Sequence, residues 1–133
     1  MTKLTKFTDL TQDIPRLVVM FKQDGDEEQF QWGILGKMPI LTLVGHIGRV
    51  QAELPLLEPG DPRYDCPESA LVIAWDEVDH KFTWFVHPSI PADSLAGMLE
   101  MIKATIVATK LARQVAAQQV ILGPDGQPAR RRT

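Results

Sequence analysis

The chain has 133 residues, 44% of them apolar, and a formal charge of −3. That length and balance fit one soluble domain and fall short of the size at which cores usually divide. No apolar run nears the roughly 20 residues a membrane helix needs, and a single cysteine, Cys66, excludes an internal disulfide.

Charge is unevenly spread. Residues 22–79 carry twelve acidic side chains against four basic ones, a local balance of −8, and Lys103, Lys110, Arg113 and Arg130 to Arg132 compensate later in the chain. An acidic body repels phosphate backbones, so duplex nucleic acid is a poor partner. The opening MTKLTKFTDLTQDIPR mixes charges where a secretory signal has an unbroken apolar stretch. With a lone thiol, this predicts a cytoplasmic setting and no membrane association.

Residues 16–22 are a continuous apolar run rich in β-branched and aromatic side chains, the composition of a buried strand. DGDEE at 24–28 provides a tight reversal, and in the next strand Phe30, Trp32 and Ile34 alternate with Gln31 and Gly33. Beyond Pro39 the period changes. Leu43, Ile47, Val50 and Leu54 are spaced by four, three and four residues, an apolar stripe at helical pitch. Gly45 and Gly48 weaken that helix by about 1 kcal/mol each relative to Ala.

Residues 55–69, PLLEPGDPRYDCPES, hold four prolines and read as a stiff, extended connector. A second buried strand follows at 70–76, a reversal at DEVDH, and a strand in which Phe82, Trp84 and Val86 share one face. Pro91, Asp93 and Ser94 then open a helix carrying Leu95, Leu99, Ile102 and Ile106 and running to about Gln119. After Gly123 the segment PDGQPARRRT has nothing apolar to bury, which predicts a flexible basic tail at 124–133.

These elements repeat. Leu17 to Phe21 match Leu71 to Trp75 at an offset of 54, whereas FQWGILGKMP and FTWFVHPSIP match at 52, so the second hairpin is two residues shorter. The expected architecture is α+β, a duplicated ββα-ββα unit in one domain, residues 1–123. Its halves, 16–54 and 70–106, build a four-stranded antiparallel sheet with two helices on one face, the C-terminal helix being long. Gly97, the counterpart of Gly45, predicts a close approach of the two helices.

Helices on one face leave the other uncovered, where the first strands still present apolar side chains (Leu17, Val19 and Phe21, or Val18 and Met20) together with Phe85. The second helix also outruns the first, its stripe continuing through Val107, Leu111 and Val115. Exposed apolar area of that extent predicts a homo-oligomer, most simply a two-fold dimer or a higher assembly. The alternative is a monomer in which residues 4–14 fold back over that face.

Catalytic signatures are missing. His46, His80 and His87 are not at metal-ligand spacing, and Cys66 has no partner cysteine. Gly33 to Lys37 ends in Gly-Lys, but Gln31 and Met38 occupy positions that a phosphate loop reserves for Gly and for Ser or Thr. No metal and no cofactor are expected. What remains are residues that depart from the repeat. His46 and Arg49 lie one helical turn apart where the second half has Met98 and Met101. His87 and Lys37 sit in the strand-to-helix turns, whose helix N-termini favour anions. Of the three tryptophans, Trp75 at a strand end is the one expected to be partly exposed. The predicted function is therefore non-catalytic: an oligomeric protein that captures a small anionic or aromatic, nucleotide-like ligand through His46, Arg49, His87, Lys37 and Trp75. The alternative is a protein-interaction module, an inhibitor, immunity or assembly factor, acting through its acidic surface.

Overall fold

The computed structural model describes residues 4–122, with side-chain surroundings as far as Lys110. The side chains of Leu111 and Val115, and the basic tail at 124–133, lie outside what is described. The protein is α+β. Strands β1 (Arg16–Asp24), β2 (Glu27–Leu35), β3 (Ala70–Asp76) and β4 (Lys81–Val86) form one antiparallel sheet in the order β2-β1-β3-β4. Helices α1 (Ile40–Glu53) and α2 (Ala92–Leu122) each follow a hairpin. The chain divides after Glu100 into two compact units, the first holding the sheet, α1 and the opening turns of α2. No helix among the described residues is long and apolar enough to cross a membrane.

The turns explain the hairpins. Gly25, at φ 63°, occupies the two-residue reversal between β1 and β2. The second reversal is held by Asp76, whose carboxylate accepts the N–H groups of Val78 at 2.9 Å and Asp79 at 3.3 Å, with His80 in the left-handed region. Both helices start just after a proline, and the first internal bonds correspond: Leu43 N–H to the Pro39 carbonyl, Leu95 N–H to that of Pro91.

Strand register decides the faces. Leu17 pairs with Ile34 and Ile73, and Ile73 in turn pairs with Trp84, so these side chains share one side. On that side the His46 ring of α1 stacks on Phe82 at 5.4 Å. Leu43, Ile47 and Val50 of α1 and Leu95 and Leu99 of α2 are fully buried. Gln51 of α1 donates to the Ala96 carbonyl and to Glu100, both at 3.1 Å, and Ser94 of α2 donates to Glu28 at 2.7 Å.

The opposite side differs from expectation. Cys66, Ala70, Val72 and Phe85 form a buried cluster there, and Phe7, Leu10 and Val18 pack on it. Phe7 meets Phe85 edge-on at 6.2 Å, and the Phe7 N–H donates to Asp65 at 2.7 Å. The N-terminal segment thus covers the β3 and β4 part of this face, because a short turn at Phe7–Asp9 turns two apolar side chains inward. Over β1, Met20 stays 49% exposed. On this face apolar surface therefore stays open at Met20, whereas Val72 and Phe85 of β3 and β4 are buried within the chain.

Two further local readings change. A Cβ added at Gly45 or at Gly97 would meet nothing within 4 Å, so neither glycine marks a close helix approach. The proline-rich connector is folded rather than extended. A short 3-10 helix spans Leu54–Leu56, turns close from Glu58 to Asp61 and from Asp61 to Tyr64, and Gly60 takes φ 90°. Glycine permits that reversal where proline alone would keep the chain straight.

Candidate functional site

β4 is an edge strand, and one end of its free edge is occupied. The Val86 N–H donates outward to the Arg63 carbonyl at 2.8 Å, while the His87 N–H turns inward to Ala70. In an antiparallel ladder the two backbone groups of a residue point the same way and neighbours alternate. Phe82 and Trp84 therefore direct their N–H and C=O groups out of the sheet, as Val86 does. Among the described residues only Val86 finds a partner on this edge.

Those open backbone groups border a cleft of about 320 Å³ lined by His46, Arg49 and Glu53 of α1, Arg63 of the connector, and β4 from Lys81 to Trp84. Arg63 forms one wall. Its guanidinium lies 4.9 Å above the Trp84 ring and is held by Asp61, at 3.0 and 3.1 Å, and by Glu53. These bonds hold the Asp61 carboxyl below the usual carboxylate range. With its charge answered on two sides, Arg63 is an architectural element.

Arg49 is exposed and has no ion-pair partner among the described residues. Lys81 is exposed at the other end of the cleft, 3.9 Å from Asp79. The His46 Nε2 is buried with no hydrogen-bond partner. Burial pushes the His46 pKa down, Arg49 pushes it the same way, and Glu53 opposes both. The cleft thus combines an unanswered cation, a second exposed cation, an unsatisfied imidazole nitrogen and free backbone donors.

The five residues singled out from the sequence do not converge. His46 and Arg49 are brought together in the cleft. Trp75 is buried at 9% exposure between Phe82, at 4.9 Å, and His80, because its side chain points to the helix side of a central strand. It borders a separate cavity of about 270 Å³ with Asp13, Ile14 and Glu77. His87 is engaged locally: its Nδ1 accepts the Ser89 N–H at 3.1 Å and lies 2.7 Å from the Ser89 hydroxyl. Lys37 is exposed in the loop before α1. β2 and β4 run in opposite directions on opposite edges, so the turns carrying Lys37 and His87 lie at opposite ends of the sheet.

The counterpart comparison behind His46 and Arg49 also needs correction, since Met101 is 61% exposed and is not a core residue. Sequence reasoning did not single out Arg63, Lys81 or Trp84 for this place. Lys81 and Trp84 belong to a strand that the alternation of Phe82, Trp84 and Val86 announces, though not to an edge it identifies, whereas nothing local in PGDPRYD announces that Arg63 reaches a strand. No family model matches the chain, and neither a curated protein nor a solved structure is similar to it.

Proposed function

We propose that this is a non-catalytic binding protein that captures an anionic ligand in the cleft between α1 and β4. The observation that carries the reading is the position of Arg49, exposed and without an ion-pair partner among the described residues, beside the unpartnered His46 Nε2 and the free edge of β4. A cation with no internal counter-charge is available to a ligand, and a buried nitrogen without a partner favours any group that supplies one. Because Arg63 already occupies the Trp84 ring, the anionic character of the ligand matters more here than aromatic stacking.

The reading includes a duplicated ββα unit with both helices on one face. The registers support duplication. Leu17 pairs with Ile34 and its counterpart Leu71 pairs with Val86, so the two hairpins match at the offsets of 54 and 52. α1 meets Phe82 in the second hairpin, and Ser94 of α2 meets Glu28 in the first, as though each half lends its helix to the other. The cleft then belongs to neither half alone. The oligomeric part of the reading rests on the open β2 edge.

The test is a thermal-shift and calorimetric panel of inorganic phosphate, nucleotides, dicarboxylates and acidic peptides, measured on the wild type and on Arg49→Glu. A ligand at a hundred times its Kd raises stability by about 2.7 kcal/mol. At least one anion should raise the melting temperature of the wild type and lose that effect in Arg49→Glu. No shift with any anion, or a shift that survives the substitution, overturns the reading.

A further inference from the structure

The outward-facing backbone groups of Phe82 and Trp84 and the charges around them define a ligand more specific than an anion. We propose that the cleft takes up an extended acidic peptide segment, which pairs with β4 as an additional strand of the sheet. The inference rests on the proposed anion-binding site and names the class of its occupant.

The chain itself already uses the first rung. Arg63, in a connector that is otherwise folded into turns, presents its carbonyl to the Val86 N–H at 2.8 Å, the bond a neighbouring strand would make. The connector then leaves the edge, and its Arg63 side chain crosses above Trp84 toward Glu53. The next two outward-facing residues, Trp84 and Phe82, remain open and lie within the cleft. A segment spanning them and one residue beyond is roughly 10 Å of extended chain. A small anion uses at most part of that edge, whereas a peptide answers both its donors and its acceptors.

Charge selects the side chains. Strand residues alternate between the two faces of a sheet. A carboxylate on the α1 side of the incoming segment comes beside Arg49 and the His46 Nε2, and one on the other side comes beside Lys81, whose side chain lies on the Thr83 face. Arg63 is already satisfied by Asp61 and Glu53 and excludes a bulky group above Trp84. A basic segment would meet Arg49 and Lys81 with no gain.

The experiment uses the full chain, three fluorescently labelled alternating peptides (Glu-Val, Ser-Val and Lys-Val repeats), the Glu-Val peptide N-methylated at alternate residues, and inorganic phosphate. Anisotropy should show binding of the Glu-Val peptide, whose carboxylates all lie on one face and can be turned to Arg49, a loss of at least tenfold on N-methylation, and a loss of at least tenfold in Arg49→Glu, an exposed position. Amide exchange followed by NMR should show Phe82 and Trp84 N–H groups exchanging faster than those of Thr83 and Phe85 in the free protein and becoming protected with the peptide. Equal affinity for the N-methylated peptide, or no binding of the Glu-Val peptide at millimolar concentration, overturns strand addition. If phosphate still binds in an Arg49-dependent way, the anion site survives that failure; if neither ligand binds, both readings fall.

Discussion

Val18 lies directly across from Val72 in the central pair of strands, and the two residues occupy corresponding places in the proposed repeat. Around them the pairing is self-complementary: Leu17 faces Ile73, and Val19, the counterpart of Ile73, faces Leu71, the counterpart of Leu17. The proposed duplication, with a pseudo-two-fold axis through the Val18 and Val72 pair, would give that register, as an isologous dimer interface does. Leu17 and Leu71 are both fully buried on the helix side. Leu17→Ala and Leu71→Ala should therefore each cost about 2–5 kcal/mol, the range for emptying a core leucine site. Their costs should agree to within about 1 kcal/mol. Urea denaturation of the two variants checks this, and a cost confined to one of them counts against equivalent environments.

Gly45 is exposed on α1 and Gly97 on α2, and an added methyl at either meets open space. With no steric penalty, the gain from replacing glycine in a helix remains, since the unfolded chain loses freedom and the helix loses none. Gly45→Ala and Gly97→Ala should each stabilise the protein by about 0.5–1 kcal/mol. Gly36 behaves oppositely. It takes φ 82°, and a Cβ there would come 3.0 Å from Pro15, so Gly36→Ala should destabilise. Thermal denaturation of the three variants distinguishes the two situations.

The hairpins and helices were legible because each rests on a local period: two for Phe30, Trp32 and Ile34, and 3.6 for Leu43, Ile47 and Val50. The cover on the second face was less so. Phe7 and Leu10 are ordinary surface-segment residues until the turn at Phe7–Asp9 aims them at Phe85. The site shows the same limit. His46 and Arg49 stay together because one helical turn joins them, while the strand-to-helix turns that carry Lys37 and His87 look equivalent in sequence and are sent to opposite ends by the antiparallel pairing of β1 with β3. Chain-distant partners such as Arg63 and Trp84 depend on how the connector folds, which no local period encodes.

Cys66 sits in the cluster that Phe7 and Leu10 help to cover, and burial pushes its thiol pKa up. A protonated, enclosed thiol reacts slowly with disulfide reagents. Phe7→Ala removes the edge-on contact with Phe85 and opens that cover. Its Cys66 should be modified faster than in the wild type at neutral pH under native conditions, while the helical circular dichroism stays unchanged. Equal rates would mean that the N-terminal segment does not protect the cluster.

His46 gives the protein a pH dependence of definite sign. Its pKa in the fold lies below the ordinary 6.5, first because it is buried and then because Arg49 is near; Glu53 pulls the other way, and Arg63 and Lys81 are the cations of other elements that line the same cleft. The folded state therefore holds this proton less tightly than the unfolded chain. The neutral ring's contribution is fully present above pH 6.5 and is lost as the pH falls through the unfolded and then the folded value. His46→Gln should flatten the stability profile as the pH falls below 6.5, as read from urea midpoints. A carboxylate bound beside the ring reverses the bias, so binding should take up a proton and an acidic peptide should bind more tightly at pH 6 than at pH 8. Affinity that stays constant across this range, in a variant series where Arg49 still matters, would show that His46 does not face the ligand.

β2 is the other edge of the sheet, and among the described residues no backbone group meets it as Arg63 meets β4. From Gln29 to Leu35 it carries no charge and no proline, and its register with β1 turns the backbone groups of Phe30, Trp32 and Ile34 outward. Trp32 is 37% exposed, whereas Trp84, its counterpart under Arg63, is 5% exposed. Natural edges are normally blunted by charge, by proline or by cover, so a long neutral edge with an exposed tryptophan favours pairing with another chain. A two-fold antiparallel pairing of β2 with itself about Gln31 sets Phe30 of one copy against Trp32 of the other and joins two sheets into one. Light scattering at micromolar concentration should then give twice the chain mass of 14.9 kDa. Trp32→Lys places a charge at the centre of the contact while leaving an already exposed position exposed, and should return the monomer mass with an unchanged fold. If the wild type scatters as a single chain, Trp32 needs another partner and the cleft on β4 must function in a monomer.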